Sequence, residues 1–392
     1  MISVGIDVSK EKSMVCILKP YGEIIASPFV VDHTETGIGI IKKLLSGYDE
    51  EIKIVLEATG HYHMPIVQTL LEAGYHVSVI NPLVMKKYTS LSIRKGKTDR
   101  KDAIKIAEYG ISNWFNLRTF EISKEVYEEL KILSRQYYQY LSIKTKCKVN
   151  LSNILDKAMP GIKKLLKDDK LLSFIRKYWH FDNVKSKSEK QFIRSYSTWI
   201  KKEGYHQSEI KAKEIYALAL NSIPTLNSNY RSSKLLVLES VRVLQEIEDS
   251  CKLILAQMKE LAINLKEYET VKRMSGVGDV LSLRLIAEVG DVRRFHSKKA
   301  LIAYAGIDAP PYESGNFVGN KCHISKRGSK YLRKTGYEIM LALKKTKPTK
   351  DNAAYEYILK KELEGKSKKA AKIAGLNKFL RIYYARVMEL YT

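Results

Sequence analysis

The chain has 392 residues, too many for one ordinary core, so two or three domains are expected. Its hydrophobic share of 45% is that of a globular protein, but the net charge of +25 points to a polyanionic partner, nucleic acid first. A membrane partner is disfavoured, since no apolar run approaches a spanning helix and no signal peptide opens the chain. Cys16, Cys147, Cys251 and Cys322 are widely spaced with no CxxC pair, which argues against a structural zinc site or a disulfide framework and suits a reducing cytoplasm.

Residues 2–8, 13–19 and 23–31 read as three short strands, with Tyr21-Gly22 as a turn. A helix is expected over 36–45, a strand over 52–57, a helix over 63–73 and a strand over 75–80. Helices over 82–91 and 100–109 complete the unit. Three leading strands followed by alternating helix and strand is the order of a ribonuclease H-like fold; a dinucleotide-binding fold would open βαβ with a glycine-rich turn, which is absent.

Four acids take positions on that outline. Asp7 interrupts an apolar strand, where a carboxylate is costly to bury. Glu57 ends the strand that precedes Ala58-Thr59-Gly60. Asp99 and Asp102, three apart, share one face at the start of a helix within Lys97-Thr98-Asp99-Arg100-Lys101-Asp102-Ala103. Residues 86–105 hold eight Lys/Arg and only these two acids. A capped, salt-bridged helix start accounts for the pair on its own. Placed together, the four carboxylates suit one or two Mg²⁺ ions facing a phosphodiester.

From 123 to 268 the text is polar and helical. Leu130, Leu133, Tyr137, Leu141, and later Leu235, Leu238, Val241, Leu244 and Ile247, recur at helical spacing, which suggests an antiparallel hairpin or a dimerising coiled coil. Tyr137, Tyr138 and Tyr140 can stack on unpaired bases, although buried helix faces are the readier account. Residues 185–190 read as a flexible basic loop. Over 274–290, Gly276-x-Gly278 before an apolar helix resembles a helix-hairpin-helix turn able to hold a phosphate on backbone N–H groups.

Two prolines and Gly315 then make a loop that displays Ser314. Downstream stand Lys321, His323, Lys326, Arg327, Lys330, Arg333 and Lys334. A Ser-Gly pair is ordinarily a turn, but a serine in a positive surround can attack a phosphate. The stretch 365–386 carries seven Lys/Arg and no acid, which suits backbone binding.

Val4-Gly-Ile-Asp7-Val-Ser-Lys10, Leu56-Glu57-Ala-Thr-Gly60, Lys97-Thr-Asp99-Arg-Lys-Asp102-Ala103, Tyr304-Ala-Gly306, Ser314-Gly315 and Ile324-Ser-Lys-Arg-Gly328 together resemble the DEDD transposases of insertion-sequence family 110 and the Piv invertases. The resemblance covers roughly 1–110 and 270–390. It implies a RuvC-like metal-binding domain at 1–120, a helical coiled-coil domain at 121–268 and a mostly helical transposase domain at 269–392, an α/β plus all-α chain. Asp7, Glu57, Asp99 and Asp102 would hold Mg²⁺, and Ser314 would form a transient phosphoserine link to DNA. Lys97, Arg100, Gly276, Gly278, Lys321, Lys326, Arg327 and Arg333 are the candidate nucleic-acid contacts.

It further implies donor and target DNA as partners, a structured guide RNA, a homodimer or homotetramer, and a cytoplasmic, nucleoid-associated place in a bacterium or archaeon. Two other functions compete with a transposase. One is a Mg²⁺-dependent junction resolvase that activates water, leaving Ser314 to shape a turn. The other is a basic architectural protein without catalysis. His323 is read as a solvent-exposed or structural histidine rather than as a proton carrier.

Overall fold

The computed structural model describes residues 1–90, 98–122, 124–309, 313–314, 317–318 and 323–392. They fall into two compact units, 1–122 and 123–392.

The first unit contains strands β1 (Ile2–Val8), β2 (Lys12–Leu18) and β3 (Ile24–Asp32), helix α1 (Glu35–Leu45), β4 (Ile52–Glu57), α2 (Met64–Glu72), β5 (His76–Ile80), α3 (Pro82–Thr89) and α4 (Asp99–Ser112). The sheet order is β3-β2-β1-β4-β5; β1 to β3 form an antiparallel meander, and β4 and β5 run parallel to β1. This is the expected ribonuclease H-like topology.

β1 is buried on both faces. Ile2, Val4 and Ile6 enter the core formed with Ile38 and Ile41 of α1 and Ile66 and Leu70 of α2. The other face meets α4 through small residues. A Cβ on Gly5 would lie 2.3 Å from both Ala103 O and Ala107 N, and one on Gly110 would lie 2.1 Å from Ser3 Oγ. Ser3 Oγ donates to Ala107 O at 2.8 Å. The helix therefore rests directly on the strand backbone, which is the reason for glycine at both places.

His33, His63 and His76 all belong to this unit, and burial lowers the pKa of each. They stay neutral in the fold at pH values where the unfolded chain binds protons, so stability present above about pH 6.5 is lost as pH falls through their folded values. The thermal midpoint of the unit is expected to drop between about pH 7.5 and 5.5. Replacing all three histidines by glutamine should flatten that dependence; a wild-type midpoint indifferent to pH across this range would contradict it.

The second unit is helical. It runs α5 (Glu125–Ala158), α6 (Ile162–Leu165), α7 (Asp168–Tyr178), α8 (Asp182–Lys185), α9 (Glu189–Lys202), α10 (Glu209–Asn221), α11 (Arg231–Ala262), α12 (Tyr268–Arg273), α13 (Gly278–Val289) and α14 (Lys298–Ala305). A two-residue pair, β6 (Glu313–Ser314) and β7 (Phe317–Val318), and helices α15 (Lys330–Thr346), α16 (Ala353–Leu363) and α17 (Lys368–Met388) follow. Among the described residues, no helix is long and apolar enough to cross a membrane.

Helices α5 and α11 pack antiparallel and join two cores. Tyr127 and Leu130 at the start of α5 share one core with Met258 and Ala262 at the end of α11. Leu151 and Leu155 at the far end of α5 share the other with Val237 and Val241 near the start of α11. Tyr137 and Tyr138 are buried, as helix-face residues.

Two expectations need correction here. Leu235 is 63% exposed, because the buried stripe of α11 runs through Ser233, Val237, Val241 and Leu244. Ser233 donates to Asn227 O at 2.7 Å, and a serine in the seam escapes a search for apolar residues. Residues 185–190 are not a flexible loop. Ser188 and Gln191 form a reciprocal capping box that opens α9 three residues after α8 ends.

Candidate active site

The four acids sit at one end of the first unit. The β1–β4 register pairs Ile2 with Ile52 and Ile6 with Leu56, so its next step sets Asp7 beside Glu57 at the carboxyl ends of both strands. Ile6 and Leu56 enter the core of α1 and α2; by alternation Asp7 and Glu57 take the face covered by α4. Helix α4 runs against β1, since Gly110 meets Ser3 and Ala103 meets Gly5. Its first turn, with Asp99 and Asp102, therefore lies toward Asp7. Thr98 caps that turn by accepting from the Lys101 N–H at 3.3 Å.

Asp7, Glu57 and Asp102 are half-buried, and Asp99 and Arg100 are exposed. The convergence is one of backbone placement: among the described residues, no three His, Cys, Asp or Glu side chains stand as a ready-made cation cluster. Lys97 lies outside the described residues. Glu57 leads into a turn in which Gly60 adopts φ +53°, followed by the buried His63. That histidine escaped the sequence reading, and the His61-x-His63 pair beside Glu57 was its only signal.

Ser314 ends β6 and is paired across the ladder with Phe317 of β7. Within the expected loop, the described residues 313–314 and 317–318 thus form a short antiparallel pair. Two-residue strands are too brief to show a period of two, although two residues between strands is the spacing of a hairpin.

The ends of the serine-bearing segment are clamped at its foot. The N–H groups of Ser325, Lys326 and Ser329 donate to the carbonyls of Asp308 (2.7 Å), Gly306 (3.0 Å) and Tyr304 (2.6 Å). Two glycines permit this approach. A Cβ on Gly328 would stand 2.0 Å from Tyr304 O, and one on Gly306 would stand 2.6 Å from Gly328 N. Arg333, half-buried, donates to Ala305 O at 2.9 Å, so its guanidinium holds the same clamp. Ser329 Oγ donates to Glu288 of α13 at 2.9 Å, and Glu288 is itself 1% exposed and paired with Arg135. Gly328→Ala is expected to cost about 3 kcal/mol of stability by overpacking, visible as a lowered thermal midpoint, with loss of activity. An unchanged midpoint would mean that the two stems are not so tightly joined.

Gly276 (φ +80°) and Gly278 (φ +63°) form the turn between α12 and α13. A Cβ on Gly276 would reach Leu343 Cγ at 2.8 Å, so that glycine also serves packing. One N–H of this turn, that of Ser275, donates to Asp351 Oδ2 at 3.0 Å. Partial burial raises the Asp351 pKa, but Arg386 and the Ser275 N–H outweigh it and hold the carboxyl below the usual range. Lys326 (φ +54°), Arg327 and His323 are exposed beside the clamp, and Lys321 lies outside the described residues.

The ribonuclease H-like sheet thus carries acids on its adjacent inner strands β1 and β4 and on the helix that crosses them. Residues 4–160 match a transposase family model, and residues 268–356 match the model of the transposase IS116/IS110/IS902 family. A 44.8 kDa protein of insertion element IS116 from Streptomyces clavuligerus is 21% identical over 93% of this chain and 89% of its own. The pilin gene-inverting protein of Moraxella lacunata is 22% identical over 86% of this chain and 80% of its own. The transposase of insertion sequence IS1111A from Coxiella burnetii is 34% identical over 20% of this chain and 21% of its own. Among solved structures, Thermus thermophilus RuvC with a Holliday junction substrate superposes on 31% of this chain and all of that one at a TM-score of 0.24 and 12% identity. The chain belongs to the IS116/IS110/IS902 family of transposases and is a DNA transposase/recombinase.

Proposed function

We propose that this transposase breaks and rejoins DNA through a phosphoserine at Ser314. The serine oxygen attacks phosphorus, the bond to the 3′ oxygen breaks, and the serine proton is passed to that leaving oxygen. The reverse step, on a different 3′ hydroxyl, restores the serine and completes exchange with no outside energy source. What carries the reading is the clamp of Gly306, Gly328 and Arg333, which holds both stems of the Ser314 segment rigidly beside exposed Lys326 and Arg327. An ordinary surface turn has no need of such support.

Asp7, Glu57, Asp99 and Asp102 suit a divalent ion in donor chemistry and backbone placement, although among the described residues no side chains stand as a ready-made cation cluster. Held there, Mg²⁺ would supply positive charge against the phosphate. The charge of +25 accommodates a structured guide RNA beside donor and target DNA, and we assign the chain a homodimeric or homotetrameric working state. Three functional parts, 1–120, 121–268 and 269–392, divide the acids, the long helices and the serine between them.

The test is the site of covalent attachment. Wild-type protein incubated with element-end DNA and Mg²⁺ should yield a denaturation-resistant adduct whose digested peptide carries a nucleotide on Ser314. Cut DNA with no adduct would favour a water-activating nuclease instead.

A further inference from the structure

We propose that the DNA strand to be cut lies in a basic channel along α17, at the foot of the Ser314 segment. The proposal rests on the phosphoserine reading and names the surface that presents the strand to it. A groove of about 790 Å³ is lined by Ile307 and Ala309, which lead into that segment, and by His323 and Lys326, which lead out of it. Lys366, Lys369, Lys378 and Arg381 line the same groove. A second concavity of about 750 Å³ shares Lys378 and Arg381 and continues to Lys298 and Arg386.

No Asp or Glu among the described residues lines either groove. Neighbouring cations are neutralised within the protein: Lys344 by Glu362, Lys361 by Glu364 and Arg386 by Asp351. Among the described residues, Lys326, Lys366, Lys369, Lys378 and Arg381 are in no ion pair, and Arg381 donates only to the neutral Asn377 side chain at 2.9 Å. A wall of uncompensated cations attracts an external anion and releases counterions when it binds.

Length selects a polymer. From Lys369 to Arg381, α17 rises about 18 Å at 1.5 Å per residue, which spans several phosphates and is too long for one small anion. Continuity with both stems of the Ser314 segment selects DNA over RNA, because the strand brought to the serine is the one whose phosphodiester is broken.

The test uses the full chain carrying K366Q, K369Q, K378Q and R381Q together. Anisotropy of a fluorescein-labelled DNA oligonucleotide, single-stranded and duplex, is read across a salt series beside an RNA of the same sequence. The slope of log affinity against log salt should shrink by about 3 for DNA, at 0.7–0.9 per lost phosphate contact. DNA affinity should fall at least tenfold at about 0.1 M salt. A charge-retaining variant (K366R, K369R, K378R, R381K) should restore both. An unchanged DNA slope, or a loss confined to RNA, overturns the proposal. Should the fourfold variant fail to fold, K369Q and K378Q alone should each lower the slope by about 0.7. Ser314→Ala should keep the wild-type slope. A reduced slope with an adduct persisting in Ser314→Ala would overturn the serine reading alone, so the two failures are separable.

Discussion

Ser314→Ala is expected to abolish the covalent adduct and to slow strand exchange by at least ~10⁴-fold, while DNA affinity and the thermal midpoint stay at wild-type values. At about 1.36 kcal/mol per tenfold, that is a loss of roughly 5 kcal/mol or more of transition-state stabilisation. The size follows from the kind of atom removed. A residue that merely positions the phosphate contributes a share of the barrier, whereas deleting the nucleophile removes the reaction path. Binding should survive because the backbone of β6 keeps its ladder with β7, and because the stems are held by residues other than the serine. Single-turnover assays on a labelled substrate separate the outcomes. If Ser314→Ala still cut within about tenfold of wild type, water would be the attacking group and the serine a turn residue.

The N-terminal unit was legible because its strands are written in apolar, β-branched runs punctuated by Tyr21-Gly22 and Asn81-Pro82. Every strand boundary of the sheet came within one residue. What local patterning hid were contacts made far along the chain. Gly5 shows as a weakness in a strand until Ala103 and Ala107 are seen against it. Gly306 and Gly328 each look like turn glycines, yet their purpose is mutual, since neither stem can approach the other past a side chain. Arg333 looked like a phosphate ligand in a basic run, and nothing local shows that its guanidinium is committed to the Ala305 carbonyl. The α11 stripe was misread at Leu235 for a related reason: the seam uses Ser233 and Cys251, whose small size suits close helix packing but whose letters do not announce it. Candidate acids were easier, because a carboxylate in an apolar strand or a basic run stands out against its own neighbours.

Asp7→Asn is expected to cut strand cleavage by at least ~10³-fold with the chain still folded and still bound to DNA. Asn matches Asp in volume, so β1 keeps its packing between Ile6 and Val8, both of which are buried. What changes is charge: an amide is a poor partner for a hard divalent cation, which takes carboxylate oxygens. A readout independent of catalysis is available. Millimolar Mg²⁺ should raise the thermal midpoint of the wild type by mass action, and should do so less in Asp7→Asn, Glu57→Gln and Asp102→Asn. DNA affinity should hold or rise slightly in these variants, because each removes a negative charge from a surface that approaches phosphates. Asp99, exposed at the first position of α4, can turn away more freely, so Asp99→Asn should show the mildest effect of the four. Cleavage persisting within tenfold in Asp7→Asn, together with an unaltered Mg²⁺ response, would mean that the acids at the carboxyl ends of β1 and β4 shape that end of the sheet and hold no ion.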